Sequence, residues 1–128
     1  MPEEGLRLRV AARAEELARV RETLRRWLQG GAATERDEFA IVLACNEACA
    51  NAMEHAYDDV EASYDVEVAQ VGGAVALTVR DAGRWRERRT TGRGRGIGLM
   101  RAFMDEVHVT TDDSGTTVRM SKQLGEGA

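Results

Sequence analysis

Three polar side chains interrupt an apolar stretch of the sequence and could carry chemistry. Glu47, Asn51 and His55 are spaced four residues apart, which places them on one face of a helix. A buried carboxylate is costly unless it is paired or bound to a metal, so this face must meet a polar cleft, a partner group or solvent. The stripe is therefore either the solvated edge of a helix or one wall of a site.

A second feature is Asp81-Ala82-Gly83, which directly follows a strongly apolar segment with strand periodicity. A carboxylate at a strand end can accept hydrogen bonds from a ligand, and a glycine lets a flat group approach the backbone closely. The same tripeptide is also typical of an ordinary turn. Taken alone, it does not separate the two interpretations.

The third feature is a run of alternating glycines, Gly92, Gly94, Gly96 and Gly98, at the start of a short helical segment. Free backbone N–H groups and the positive end of a helix together favour phosphate. The run is not a P-loop, because the only lysine of the chain is Lys122, and it lacks the dinucleotide fingerprint G-x-G-x-x-G. A flexible loop is the alternative interpretation.

Apolar residues at helical spacing indicate the elements that position these features. Residues 14–29 predict an amphipathic helix that ends at Gly30-Gly31, with a buried stripe of Leu17, Val20, Leu24, Trp27 and Leu28. Thr34, followed by Asp37 and Glu38, predicts the start of a long helix that reaches about Tyr57. A third, short helix is predicted from about Gly98 to Phe103.

Alternation with a period of two indicates the strands. They are predicted at residues 6–12, 64–70, 74–80, 106–111 and 116–122, with a hairpin across Val71 to Gly73 and a turn at Asp112 to Gly115. The order β-α-α-β-β-α-β-β predicts an α+β fold, a two-layer sandwich of one mixed sheet with helices on one face.

Composition limits the class of protein. With 43% hydrophobic and 31% charged residues, the 128-residue chain is expected to form a single globular domain over residues 1–128. The formal charge of −4 argues against direct nucleic-acid binding. With no membrane-length apolar run and no signal peptide, we expect a cytoplasmic protein. Cys45 and Cys49 are expected to pack in the core rather than bind metal.

Taken in chain order, the three features are more specific than any one of them. The segments NEACANAMEHAY, VRDAG, GRGIGLMRAFMDEV and GTTVRM resemble the motifs of the GHKL ATPase superfamily, whose nucleotide domain has the Bergerat fold. The resemblance is greatest to the small anti-sigma-factor serine kinases of the RsbW and SpoIIAB type. It covers most of residues 34–122.

The resemblance implies ATP and Mg²⁺ as ligands and a role for each matching residue. Asn51 would bind the Mg²⁺ that bridges the phosphates, and Glu47 would act as general base toward the attacking hydroxyl. Asp81 would accept the adenine amino hydrogen. The remaining matches are Gly83 beside the base, Gly94, Gly96 and Gly98 at the end of the phosphate-covering lid, and Gly115 and Thr116 near the nucleotide. His55 has no implied chemical step and is expected to be structural.

Two departures from the family pattern concern the lid. The adenine motif often continues Asp-x-Gly-x-Gly, whereas this chain has Arg84-Trp85, so the hinge differs and Trp85 is placed to pack over the nucleotide or a partner. Only ten residues separate Gly83 from Gly94. A lid this short suits the anti-sigma branch and argues against a gyrase-like clamp.

The first functional hypothesis is an ATP-dependent protein serine kinase. Its implied partners are a STAS-fold anti-anti-sigma protein, which it phosphorylates, and a sigma factor, which it sequesters; a homodimer is also implied. The alternative is a non-catalytic, ATP-responsive regulatory module, for example one excised from a SpoIIE-type phosphatase. A sensor histidine kinase is disfavoured, because no phospho-accepting helix pair precedes the ATP-binding motifs.

Overall fold

The computed structural model describes residues 5–55, 62–81, 95–112 and 114–125, which contain five strands and three helices. The strands are β1 (Leu6–Ala11), β2 (Ser63–Val71), β3 (Ala74–Asp81), β4 (Glu106–Asp112) and β5 (Gly115–Gln123). The helices are α1 (Glu16–Gln29), α2 (Glu35–His55) and α3 (Arg95–Phe103). The predicted order of elements is confirmed. None of the helices in these ranges is both long and apolar enough to cross a membrane.

Helix α1 buries the stripe that its sequence predicts. Val20, Leu24 and Leu28 are buried in the core, and Leu17 and Trp27 pack partly against it. The helix ends at Gly30, whose N–H is 3.3 Å from the Trp27 carbonyl oxygen. Packing of this one face, rather than intrinsic propensity, stabilises a helix of this length.

A reciprocal capping box starts α2. The Asp37 N–H donates to Thr34 Oγ1 at 3.0 Å, and the Thr34 N–H donates to Asp37 Oδ2 at 2.9 Å. The same carboxylate oxygen accepts the Gly125 N–H at 2.8 Å. Burial alone would raise the pKa of Asp37, but these hydrogen bonds outweigh it and the pKa is lowered. Asp37 therefore joins the start of α2 to the end of the chain.

The five strands form one open sheet in the order β1-β2-β3-β5-β4, and every neighbouring pair is antiparallel. The predicted α+β two-layer architecture is confirmed, but the expectation of a mixed sheet is wrong. Strands β3 and β4, with α3 between them in the sequence, do run in the same direction. However, the β4–β5 hairpin folds back so that β5 lies between them, and no parallel pair is formed.

The two faces of the sheet differ sharply. Buried apolar residues from β2, β3 and β5 face the helices; they are Val66, Val68, Val75, Leu77, Val79, Val118 and Met120. The opposite face is polar, with ion pairs between Arg9 and Asp65 at 3.1 Å and between Arg7 and Glu67 at 3.8 Å. The core therefore lies between the sheet and the helices.

Both cysteines belong to that core, as predicted. Cys45 and Cys49 are buried and reduced, with 3.9 Å between their sulfur atoms. The contact with Cys49 and burial raise the pKa of the Cys45 thiol well above its usual value. The Cys45 thiol therefore stays protonated and unreactive.

Replacing Asp37 tests whether it stabilises the fold by connecting the start of α2 to Gly125. Asp37→Ala removes an acceptor that serves two backbone N–H groups, so we expect it to lower the free energy of unfolding by about 2 kcal/mol. Urea denaturation measures the change. Glu35→Ala is the control, because this exposed carboxylate lies in the same first turn of α2. Equal losses in both variants would contradict the assignment.

The lowered pKa also predicts how this contribution depends on pH. A carboxylate with a depressed folded-state pKa stabilises the fold fully above its unfolded pKa of about 3.9, and the stabilisation is lost as the pH falls through the lowered value. The difference in unfolding free energy between wild type and Asp37→Asn should thus be constant between about pH 7 and 5 and shrink below about pH 4. A constant difference down to about pH 2 would argue against an ionised Asp37.

Candidate functional site

Two buried polar side chains face each other at one end of the central strands. Among the described residues, the buried polar or charged side chains are Asp37, Asp81 and Thr116. Asp37 caps a helix, whereas Asp81 and Thr116 are direct partners across β3 and β5. They are 8% and 0% exposed, respectively. A carboxylate is costly to bury unless it is engaged, which makes Asp81 a candidate for ligand recognition.

Asp81 and Thr116 belong to a polar row that crosses four strands. Tyr64 is the register partner of Asp81, and Thr111 is the register partner of Thr116. The hydroxyl oxygens of Thr111 and Thr116 are 3.3 Å apart. The sequence motifs indicate Asp81 and Thr116 but contain no signal for Tyr64 or Thr111. Only the strand register, which pairs distant segments, brings the four together.

Tyr64 extends the row beneath α2. Its side chain is buried, and its hydroxyl has no hydrogen-bond partner among the described residues. Burial, followed by the neighbouring Cys49 thiol, raises the pKa of Tyr64 far above its usual value. The Tyr64 hydroxyl therefore keeps its proton and is able to donate a hydrogen bond beneath α2.

Helix α2 places Glu47 and Asn51 at the border of its packed face. Both side chains are half-buried, while Ala48 and Ala52, the residues that follow them, are buried in the core. Neither Glu47 nor Asn51 has a hydrogen bond or ion pair with any described residue. A carboxylate and an amide thus lie one helical turn apart with no hydrogen bond or ion pair to the described part of the chain, an arrangement that suits contact with a ligand.

Helix α3 packs against α2. Its last residue, Phe103, makes an edge-to-face contact with Phe39, near the start of α2, with 5.9 Å between the ring centroids. The end of α3 is thereby fixed near the start of α2.

The start of α3 corrects one prediction. The helix begins at Arg95 rather than near Gly98, so Gly96 and Gly98 lie inside it. Glycine is a poor helix former, which is why the sequence suggests a later start. Burial of Met100 and Met104 against the core stabilises the helix as a whole.

Gly98 and Gly115, two of the expected site glycines in the described ranges, have contrasting reasons for being glycine. Gly115 has φ 135° in the turn between β4 and β5, a conformation that favours glycine and that positions Thr116. A Cβ on Gly98 would meet no described atom within 4 Å, so packing does not require glycine there. An open backbone beside a helix start suits a phosphate group.

The expected site residues Gly83 and Gly94 fall outside the described part of the chain. So do Trp85 and the side chain of His55. Their predicted roles stay predictions.

The described side chains suit a metal held jointly with a ligand rather than by protein alone. Within the described ranges, no three His, Cys, Asp or Glu side chains could hold a metal ion together. Mg²⁺ is commonly bound by one or two protein oxygens, with phosphates and water as its other ligands. The side chain of Asn51 carries an oxygen donor of the kind that such a site uses.

The chain belongs to the histidine kinase-like ATPase domain family, whose model matches residues 10–122. This confirms the family predicted from the motifs, and an ATPase domain implies that the chain binds ATP.

Within that family, the structure is similar to the RsbU and RsbW domains of Rv1364c from Mycobacterium tuberculosis. The TM-score is 0.83 at 28% sequence identity, and the match covers 99% of this chain and 34% of that chain. This chain thus spans about a third of the length of the matched protein. The likeness to a structure with an RsbW domain is consistent with the predicted anti-sigma kinase branch.

Asp81→Asn tests recognition of the base. Replacing one acceptor oxygen by an amide donor should weaken ATP binding about tenfold or more. The hydrogen bond expected from the adenine amino group would be lost, and the asparagine NH2 group and the adenine amino group, both hydrogen-bond donors, would then face each other. Isothermal titration calorimetry measures the affinity, and thermal unfolding without nucleotide checks the fold. Asp65→Asn on the polar face of the sheet is the control. Unchanged affinity in Asp81→Asn would remove Asp81 from the site.

Gly98→Ala separates stability from nucleotide binding. Alanine is the better helix former by up to about 1 kcal/mol, and its methyl group meets no described atom, so the thermal midpoint should stay the same or rise. The methyl group should obstruct the phosphates and weaken ATP more than adenosine. Equal affinities of the variant and wild type for ATP would exclude close phosphate approach at Gly98.

Proposed function

We propose that this protein is an ATP-dependent protein serine kinase that phosphorylates a STAS-fold anti-anti-sigma partner and sequesters a sigma factor. The observation that carries the proposal is the pair Glu47 and Asn51, half-buried, one turn apart and unengaged by the described fold. The likeness to a structure with an RsbW domain supports the choice of branch. Membership of the ATPase family supports ATP binding, and the pair Glu47 and Asn51 supports phosphoryl transfer.

Each residue has a chemical task in this proposal. Glu47 accepts the proton of the partner's serine hydroxyl as that oxygen attacks the γ-phosphorus. The bond from the γ-phosphorus to the bridging oxygen breaks, and ADP leaves with that electron pair. Asn51 holds Mg²⁺, which when bound neutralises charge on the phosphates. Asp81 and Thr116 hold the adenine end, so that the γ-phosphate is directed toward Glu47.

Catalysis in this arrangement depends mainly on positioning. Phosphoryl transfer needs little covalent chemistry from the protein, and in-line geometry with charge stabilisation provides most of the rate. The first turn of α3 supplies backbone N–H groups and a positive helix end on the phosphate side. Glu47 then contributes the proton transfer.

A Glu47→Gln variant tests the kinase. It keeps the shape of the side chain but removes the base, so transfer of labelled phosphate to the STAS-fold partner should fall about 100-fold or more. Affinity for ATP should stay within about threefold, because the adenine contacts are intact. Glu35→Gln, an exposed glutamate at the other end of α2, is the matched control and should transfer phosphate normally.

The second candidate is an ATP-responsive binding module without transfer. The observation that favours it is the matched structure, in which an RsbW domain occurs together with an RsbU domain in a chain of which this protein covers 34%. If the wild-type protein binds ATP and its partners but transfers no phosphate, the kinase is excluded and the module remains.

A further inference from the structure

A groove of about 520 Å³ lies between α1 and α2. Its apolar lining comes from three residues of α2: Phe39, Val42 and Leu43. Phe39 is 63% exposed, although an aromatic ring of this size normally buries most of its area. The groove is thus a concave surface with an aromatic side chain at its centre.

The apolar surface continues onto α3. Phe103 contacts the Phe39 ring, and Leu99, one turn earlier on the same face of α3, is 39% exposed. Two of the three exposed large hydrophobic residues in the described ranges therefore lie on this side of the protein; the third is Val71, at the β2–β3 turn. A contiguous apolar surface next to polar groups is typical of a protein interaction site.

The charged side chains around the groove differ in the partners that they contact. Glu38 is engaged within the chain, since Arg25 Nε is 3.5 Å and Gln29 Nε2 is 3.2 Å from its carboxylate. Arg21, by contrast, donates to a neutral amide, with 3.1 Å between its Nη1 and Asn46 Oδ1. Its orientation is set by that bond, but its positive charge is not neutralised by any described residue.

The opposite end of the groove carries the opposite charge. Glu35 is exposed and has no ion-pair partner among the described residues. It precedes Asn46 by eleven residues of α2, which corresponds to about 16 Å along the helix axis. The groove therefore has a positive end, an apolar centre and a negative end, and its length matches about three turns of a helix.

We propose that this groove binds an amphipathic helix of the sequestered partner. That helix presents apolar side chains at i, i+3 or i+4, and i+7 to Phe39 and Leu43, a carboxylate to Arg21 and a cation to Glu35. The proposal rests on the proposed function, because it assigns the groove to the sigma factor rather than to the phosphoacceptor. Phe39 is eight residues, or about 12 Å, from Glu47, so an occupant of the groove need not present a hydroxyl to the nucleotide.

Two variants and two matched controls test the groove. Phe39→Ala removes the apolar centre, and Arg21→Glu reverses the charge at the positive end. Val71→Ala removes an exposed apolar side chain elsewhere, and Arg26→Glu reverses an exposed charge on the same helix as Arg21. Each ATP-bound variant is titrated by surface plasmon resonance against the individually purified sigma factors of the source organism. Phosphotransfer to the STAS-fold partner and thermal unfolding are measured in parallel.

We expect wild type to bind one sigma factor, and both groove variants to bind it at least about tenfold more weakly. The controls should stay within about threefold of wild type. Phosphotransfer by Arg21→Glu should be unchanged, which shows that the fold and the nucleotide site are intact. A glutamate-to-arginine substitution on the partner helix should restore binding to Arg21→Glu.

Four other results would overturn the proposal, and they are distinguishable. Sigma-factor binding by both variants at wild-type strength would exclude the groove and leave the proposed function standing. Loss of phosphotransfer in both groove variants, Phe39→Ala and Arg21→Glu, when they are correctly folded would assign the groove to the phosphoacceptor. Conversion of a wild-type dimer to monomer by Phe39→Ala, seen by sedimentation, would make the groove a contact between two copies. Binding of no sigma factor by wild type would remove the regulatory role and the groove assignment together.

Discussion

The close approach of α2 to the sheet is the constraint on which the rest of the structure depends. Small side chains make this approach possible: Ala44, Cys45, Ala48, Cys49 and Ala52 are all buried on the face that packs over the central strands. Larger side chains would hold the helix further from the sheet and leave gaps in the core. With the backbone held close, Glu47 and Asn51 lie at the border of the packed face rather than far out in solvent. The candidate site therefore follows from how the core is packed.

Three stripes of α2 serve three different purposes. The small apolar face meets the sheet, Glu47 and Asn51 form the site stripe beside it, and Phe39, Leu43 and Asn46 recur at i, i+4 and i+7 along the groove. Leu43 precedes Glu47 by four residues, so the groove residues and the site pair lie on neighbouring parts of one helix surface, with the groove nearer the start of α2 and the site nearer its end. One element thus connects the core, the nucleotide site and the proposed partner surface. Asp37 anchors its start to the end of β5 through Gly125.

The register of the strands determines which side chains of the sheet meet at the site. Two hairpins and the insertion of β5 between β3 and β4 align Tyr64, Asp81, Thr116 and Thr111 in one row. A slip of one residue would turn Asp81 to the polar face and destroy the row. The buried valines on either side prevent such a slip, because it would expose them. Apolar packing therefore enforces the geometry of a polar site.

Much of this protein was determined by local sequence alone. Periodicities of 3.6 and 2 set the helices and strands, and Thr34 with Asp37 marked the start of α2, because such patterns reflect contacts within a few residues. The order of three short motifs indicated the family. Tertiary structure decided what local patterns do not encode: the antiparallel sheet, the earlier start of α3, and the joining of Asp37 to Gly125. It also placed Tyr64 beside Asp81 and left Phe39 exposed in a groove. Each of these depends on contacts between residues far apart in the chain, whose energies no single segment contains.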